Sequence, residues 1–161
     1  MSDKTTDDFL KKLDDAIDKE TKALKRPTVL ICGYTGTGKT TLIQKVCGKS
    51  VIPDHEINDY APGTKAYKEY SSTLIRFWDS QGLEPSNKEK DFIRKTNEFV
   101  KSVQRNADLD EHIHIVWYCI QGSGGRVTDT DLTLINKIFD KDNTLVLITK
   151  NDITKQGQEK A

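Results

Sequence analysis

The sequence has no surplus of charge of either sign, because its 161 residues include 25 basic and 25 acidic side chains. The broad basic patch that typically binds nucleic acid is therefore not expected. No apolar run is long enough to span a membrane, and the first residues are polar, unlike those of a secretory leader. These absences predict a cytoplasmic protein with neither a nucleic-acid partner nor a membrane segment, at a length that suits one domain.

Cysteine is scarce as well. Cys32, Cys47 and Cys119 are odd in number and lie in apolar segments. This usage excludes a framework of disulfides and is typical of buried free thiols in a reducing compartment.

Glycine, by contrast, is concentrated after one β-branched apolar run. Residues 28–32 are followed by Gly33-Tyr-Thr-Gly-Thr-Gly-Lys-Thr40, which fits G-x-x-x-x-G-K-[ST]. In such a loop, backbone N–H groups and a helix N-terminus surround phosphate oxygens, the lysine reaches the β/γ-phosphates and the hydroxyl ligates Mg²⁺. A ligand-free strand-to-helix turn is the alternative. The predicted phosphate contacts are Gly33, Thr35, Gly36, Thr37, Gly38, Lys39, Thr40 and Thr41.

A second motif follows two short β-type runs at about residues 66–71 and 74–78, which predict an antiparallel hairpin. Asp79-Ser-Gln-Gly82 ends this hairpin. A carboxylate at a strand end beside a phosphate loop is a candidate Mg²⁺ ligand, and the N–H of Gly82 is a candidate donor to a terminal phosphate. An ordinary turn is the alternative. The preceding loop, residues 50–64, is long enough to indicate a functional role.

Strands alternating with helices predict a three-layer α/β domain with a mostly parallel sheet. Residues 112–120 and 144–149 read as buried strands, and a helix that starts near Thr128 is expected to turn Leu132, Ile135, Ile138 and Phe139 inward. His112 and His114 share a strand face, but at the strand's start we interpret them as structural.

An amphipathic helix is predicted at about residues 5–25, because apolar residues recur there at helical spacing: Phe9, Leu10, Leu13, Ile17 and Leu24. Packing on the following domain is the favoured interpretation. A partner or dimer contact and a membrane-surface helix remain open.

Together these motifs resemble those of the GTPase domains of the Ras-like and Era-like, translation-factor-related class, over about residues 27–152. Thr64 matches the switch I threonine and Thr149-Lys-Asn-Asp152 the N/T-K-x-D base reader. The resemblance implies a P-loop GTPase fold with one antiparallel strand. It also implies catalytic roles for Lys39 and Thr64, Mg²⁺ ligation by Thr40, Thr64 and Asp79, and nucleotide contacts from Gly82, Thr149, Lys150 and Asp152.

Two departures concern catalysis. Gly36 stands where potassium-activated branches carry asparagine, and Leu83 stands where Ras-like members carry glutamine. Neither usual device for positioning the attacking water is therefore present.

The expected function is GTP binding, Mg²⁺-dependent hydrolysis to GDP and phosphate, and a nucleotide-dependent switch that acts with an effector or activating protein. A homodimer through the nucleotide face is left open. The alternatives are a regulatory or scaffold module that binds GTP or GDP with negligible hydrolysis, and a P-loop ATPase or kinase. We expect residues 1–26 to form the helix and residues 27–161 a GTPase domain that lacks its last strand and helices.

Overall fold

The computed structural model describes residues 3–23, 25–55, 67–84, 89–122 and 126–150. Within them the chain forms a five-stranded sheet in the order β2-β3-β1-β4-β5. Only the β2–β3 pair is antiparallel, and the other three pairs are parallel. The strands are β1 (Thr28–Gly33), β2 (Tyr67–Ser71), β3 (Arg76–Ser80), β4 (Ile115–Gln121) and β5 (Thr144–Thr149).

The α-helices of the described residues are α1 (Asp3–Ala23), α2 (Lys39–Cys47), α3 (Glu89–Gln104) and α4 (Asp129–Thr133), the last continuing as a π-helical turn over Leu134–Ile138. Helices α2 and α3 pack on opposite faces of the sheet. Short 3-10 turns, Leu109–Glu111 and Lys141–Asn143, precede β4 and β5. This arrangement confirms the predicted α/β class, with its mostly parallel sheet, its hairpin and its N-terminal helix.

Strand β1 is central and separates two apolar cores. Leu30 and Cys32 point into the core against which α3 and the π turn pack. Val29 and Ile31 point into the opposite core, which includes Ile43 of α2. Because a strand's side chains alternate between the two faces, a continuous apolar run is what a central strand covered on both sides requires.

The buried thiols in and beside β1 behave as small apolar groups. Cys32 and Cys119 are buried free cysteines, and Cys47 is partly buried. Burial raises the pKa of Cys32 to about 12 and that of Cys119 to about 11, so both thiols stay protonated at neutral pH.

Helix α1 confirms the predicted segment, but not its favoured packing. Phe9, Leu10, Leu13 and Ile17 are 45 to 65% exposed. The interpretation that this apolar face packs on the domain is therefore wrong. Periodicity determines which side chains share a face of a helix, whereas what covers that face is decided by tertiary contacts.

The inward set predicted for the helix after Thr128 needs a correction. Leu132 is 47% exposed, whereas Leu134 is fully buried. The Phe139 N–H donates to the Leu134 carbonyl at 2.9 Å, an i to i+5 bond. The π turn thus adds a residue to the helical repeat, and the α-helical period used for the prediction does not apply there.

The predicted burial of β5 is also wrong. Leu145, Val146 and Ile148 are 46 to 56% exposed, although the strand forms where expected. Strand β5 is at the edge of the sheet and pairs only with β4 among the residues that the structure describes. An apolar run predicts a strand, but the position of that strand in the sheet, central or at the edge, decides how much of it is buried.

Candidate functional site

The loop between β1 and α2 has the backbone conformation that its glycines allow. Gly33, Gly36 and Gly38 have φ values of 142°, 81° and 88°. A Cβ at Gly33 would lie 2.3 Å from the Cys119 carbonyl oxygen, whereas one at Gly36 or Gly38 would meet nothing within 4 Å. Gly33 therefore lets β1 approach β4, and the later glycines turn the loop into α2 at Lys39.

Lys39 folds inward under this loop. Its Nζ donates to the Gly33 carbonyl at 3.1 Å and to the Tyr34 carbonyl at 2.9 Å, and the residue is buried. Burial lowers the pKa of Lys39, while the negative charge of Asp79 opposes that shift. A buried ammonium at a helix N-terminus has a strong electrostatic requirement for an anion, which is the chemistry of a phosphate site.

Thr40 and Asp79 form a buried pair of oxygen donors beside the loop. The Thr40 hydroxyl donates to Asp79 Oδ2 at 2.6 Å, and both residues are buried. The parallel pairing of Ile31 with Asp79 brings the end of β3 next to the start of the loop. Hydroxyl and carboxylate oxygens are ligands that Mg²⁺ accepts, with water and phosphate completing its shell. The pair therefore fits the metal that the sequence implies.

The segment after Asp79 is bound to the phosphate loop through its backbone. The Thr35 N–H donates to the Leu83 carbonyl at 2.9 Å, and the Leu83 N–H donates to the Gly33 carbonyl at 3.1 Å. Gly82 lies so close that an added Cβ would be 2.8 Å from Lys39 Nζ. The predicted contacts Gly82 and Lys39 are thus neighbours, as one terminal phosphate would require.

The end of β5 faces the same loop across a cavity. The Thr149 hydroxyl donates to the Ile120 carbonyl at 3.3 Å, and the Thr149 main-chain carbonyl accepts from the Gly122 N–H at 2.7 Å. Lys150 has a positive φ of 53°, which turns the chain at the strand end. The cavity measures about 460 Å³ and is lined by residues of both segments, including Thr37, Gly38, Thr41, Leu42, Thr149 and Lys150.

The predicted site residues fall into two groups. The structure places the phosphate-loop residues, Asp79, Gly82, Thr149 and Lys150 at or just beyond the carboxyl ends of β1, β3 and β5, where α/β sheets bind ligands. Thr37 is buried and Thr41 half-buried, while Thr35 and Gly36 are exposed. Thr64 and Asp152 lie outside the described residues.

Sequence reasoning missed two residues of this region. Leu83 is fully buried and tied to the loop by two backbone bonds, although the sequence drew attention only to its lack of a polar group. Tyr34 occupies a free position of the motif, and its hydroxyl contacts Thr128 of a distant element. No local pattern signals either contact, because both depend on tertiary packing.

His112 and His114 do not share a strand face as predicted, because β4 begins only at Ile115, but both make contacts that stabilise the fold. His114 Nδ1 accepts from the Thr28 N–H at 3.0 Å, and His112 Nε2 lies 2.9 Å from the Asn106 carbonyl. Among the described residues, no group of three or more His, Cys, Asp or Glu side chains is arranged to hold a metal. Within that same part of the chain, no helix is both long and apolar enough to cross a membrane.

Comparison with known proteins identifies the class. A family model described as "50S ribosome-binding GTPase" matches residues 28–151. The chain belongs to this family of P-loop GTPases.

A particular relative points to the same branch. The chain is 32% identical over 127 residues to GTPase Der of Thermosipho africanus (strain TCF52B), and the alignment covers 76% of this chain and 26% of that protein. The chain thus spans about a quarter of the length of this relative.

Proposed function

We propose that this protein binds Mg²⁺·GTP at the loop between β1 and α2 and hydrolyses it slowly to GDP and phosphate, acting as a nucleotide-dependent switch. The proposed binding domain spans residues 27–161, with α1 as a separate preceding element. The observation that carries the proposal is the convergence of Lys39, Gly82 and the Thr40–Asp79 pair beneath one phosphate loop.

In this scheme different residues bind the phosphates, the metal ion and the base. Lys39 and the backbone N–H groups at the start of α2 hold the β- and γ-phosphates. Thr40, Asp79 and Thr64 would hold Mg²⁺, and the ion would supply positive charge to neutralise those phosphates. Asp152 accepts from the guanine ring N–H and exocyclic amino group, and Lys150 covers the base.

Hydrolysis is the attack of water on the γ-phosphorus. A new P–O bond forms as the bond from the γ-phosphorus to the bridging oxygen breaks, GDP leaves with that electron pair, and the proton lost by the attacking water passes to phosphate or solvent. The γ-phosphate holds Thr64 and the Gly82 segment in the GTP state, and its departure releases both.

A second candidate is a GTP- or GDP-binding module with negligible turnover. The observation that favours it is Leu83, whose side chain is buried and whose backbone is engaged by Gly33 and Thr35. An apolar, buried residue neither accepts from nor donates to water, so orientation of the nucleophile must come from the backbone, from Thr64 or from an activating protein.

Two measurements separate these candidates. Displacement of a fluorescent GDP analogue by GTP, GDP and ATP should rank both guanine nucleotides well above ATP. Single-turnover hydrolysis of γ-labelled GTP should then give a rate on the order of 10⁻³ s⁻¹ or below, as for unassisted GTPases.

Lys39→Ala serves as the inactive reference, and Lys101→Ala, an exposed lysine of α3, as its matched control. Equal affinities for ATP and GTP would contradict the guanine assignment. Turnover equal to that of Lys39→Ala, with tight GTP binding by the parent, would favour the binding module.

A further inference from the structure

We propose that Tyr34 is a positioning residue that fixes the phosphate loop against the N-termini of α3 and α4, and thereby slows nucleotide release. The proposal rests on the nucleotide site proposed above. It concerns a side chain at a free position of the loop motif, to which that site assigns no role.

The main chain of Tyr34 orients the loop. Its carbonyl accepts from Lys39 Nζ at 2.9 Å, from the Thr37 hydroxyl at 2.9 Å and from the Thr37 N–H at 3.3 Å. The direction of this carbonyl therefore sets both the tight turn and the place of the ammonium group that meets the phosphates.

The side chain of Tyr34 leads away from the loop to two helices. Its hydroxyl lies 3.0 Å from Thr128 Oγ1, the N-cap of α4, and 3.5 Å from Glu89 Oε1, at the first residue of α3. Thr128 donates its only hydroxyl hydrogen to Asp131 Oδ2 at 2.8 Å. The Tyr34 hydroxyl therefore donates its one hydrogen to Thr128, and Glu89 Oε1, at 3.5 Å, is a more distant acceptor of the same hydrogen.

The side chains that contact the Tyr34 hydroxyl, Thr128 and Glu89, are themselves held by other hydrogen bonds. Asp131 Oδ2 also accepts from the Thr128 N–H at 2.7 Å, and Tyr118 donates to the other oxygen, Oδ1, at 2.5 Å. The Thr130 hydroxyl donates to Glu89 Oε2 at 2.6 Å and joins α4 to α3. Tyr34 thus bonds to an ordered network, so its hydrogen bond restrains the loop and does not merely occupy two mobile side chains.

Loss of this restraint should act on the rate at which nucleotide leaves. Tyr34→Phe keeps the ring and removes the hydroxyl. Because a single hydrogen bond contributes modestly to a net free energy, we expect release of a fluorescent GDP analogue to accelerate about three- to tenfold. The association rate should change by less than about twofold, since affinity differences within a series lie mainly in dissociation.

The matched control is Tyr118→Phe in the same full-length chain. It removes a hydroxyl from the same network, and that hydroxyl donates to Asp131 of α4. If both tyrosines serve stability alone, both variants will lower Tm and leave the release rate unchanged, and that result would overturn the proposal. A faster release for Tyr34→Phe, with Tyr118→Phe releasing like the parent, supports it.

Thr128 provides the second arm. Thr128→Ser keeps the acceptor and should release nucleotide at the parent rate, whereas Thr128→Val removes it and should mimic Tyr34→Phe. The double variant Tyr34→Phe/Thr128→Val should be no faster than either single variant. A release rate in the double variant equal to the product of the two single accelerations would show that Tyr34 does not act through Thr128 and would overturn the proposal.

If the parent chain bound no fluorescent GDP, the proposed function would fail and this inference with it. Normal binding with an unchanged release rate for Tyr34→Phe would refute only the inference.

Discussion

Replacing Gly33 with alanine tests whether this glycine serves the sheet or the phosphate. A Cβ at this position would lie 2.3 Å from the Cys119 carbonyl oxygen and 3.3 Å from Cys119 Cβ. Gly33 and Cys119 are direct partners in the β1–β4 register, so the clash falls between two central strands. Neither backbone can yield without moving one strand relative to the other.

The loss of stability expected for Gly33→Ala has two parts. The φ of 142° at Gly33 lies outside the conformations that L-residues prefer, which costs about 1–2 kcal/mol. Overpacking of a well-packed region adds about 1–3 kcal/mol. The sum is about 2–5 kcal/mol, which lowers Tm by about 5–15 °C in a domain of this size.

Gly36→Ala is the matched control because Gly36 also has a positive φ, 81°, but has nothing within 4 Å of the added Cβ. It should lose only the conformational part, about 1–2 kcal/mol. Thermal unfolding of both variants without nucleotide, followed by circular dichroism, measures the difference directly. Equal Tm values for the two variants would refute the argument that Gly33 is required by the approach of β4.

Further predictions concern the nucleotide. Lys39→Ala should remove most of the affinity for GTP, while Thr40→Ala should mainly remove the Mg²⁺ dependence of GTP binding. Calorimetric titrations with and without Mg²⁺ measure both effects. GTP binding by Lys39→Ala at the parent's affinity would contradict the phosphate site. Asp152→Asn should shift the nucleotide preference toward xanthine, because the asparagine amide offers a hydrogen-bond donor where the xanthine ring needs one. Competition between GTP and XTP measures this preference. An unchanged ranking of the two nucleotides would count against Asp152 as the base reader. Exchange of sodium for potassium should leave single-turnover hydrolysis nearly unchanged, since Gly36 supplies no side-chain ligand, and a large stimulation would mean that another group binds the ion. Leu83→Ala should alter the unassisted rate of GTP hydrolysis by less than about tenfold. It should lower the free energy of unfolding by about 2–5 kcal/mol, because the side chain is fully buried. A loss of hydrolysis rate greater than tenfold with a stable fold would place Leu83 in catalysis.

Much of the phosphate site follows from local sequence. The run that ends at Gly33 forms β1, α2 begins at Lys39, and Asp79 lies near the end of β3, one residue inside a strand that the sequence predicts to stop at residue 78. These features are local: glycine permits the positive φ values, and the helix start follows from the turn. The roles of Thr64 and Asp152 stay predictions from the family motif.

The sequence by itself predicted the main helices and strands, a mostly parallel sheet with one antiparallel hairpin, and the residues that could meet a phosphate. Only the tertiary structure decided that Leu132 is exposed, that β5 is an edge strand, and that Tyr34 and Leu83 fasten the loop. The physical reason is the range of the interactions. Turn geometry and periodicity depend on neighbours in the chain, whereas burial and the Tyr34–Thr128 bond depend on which surfaces the folded sheet brings together.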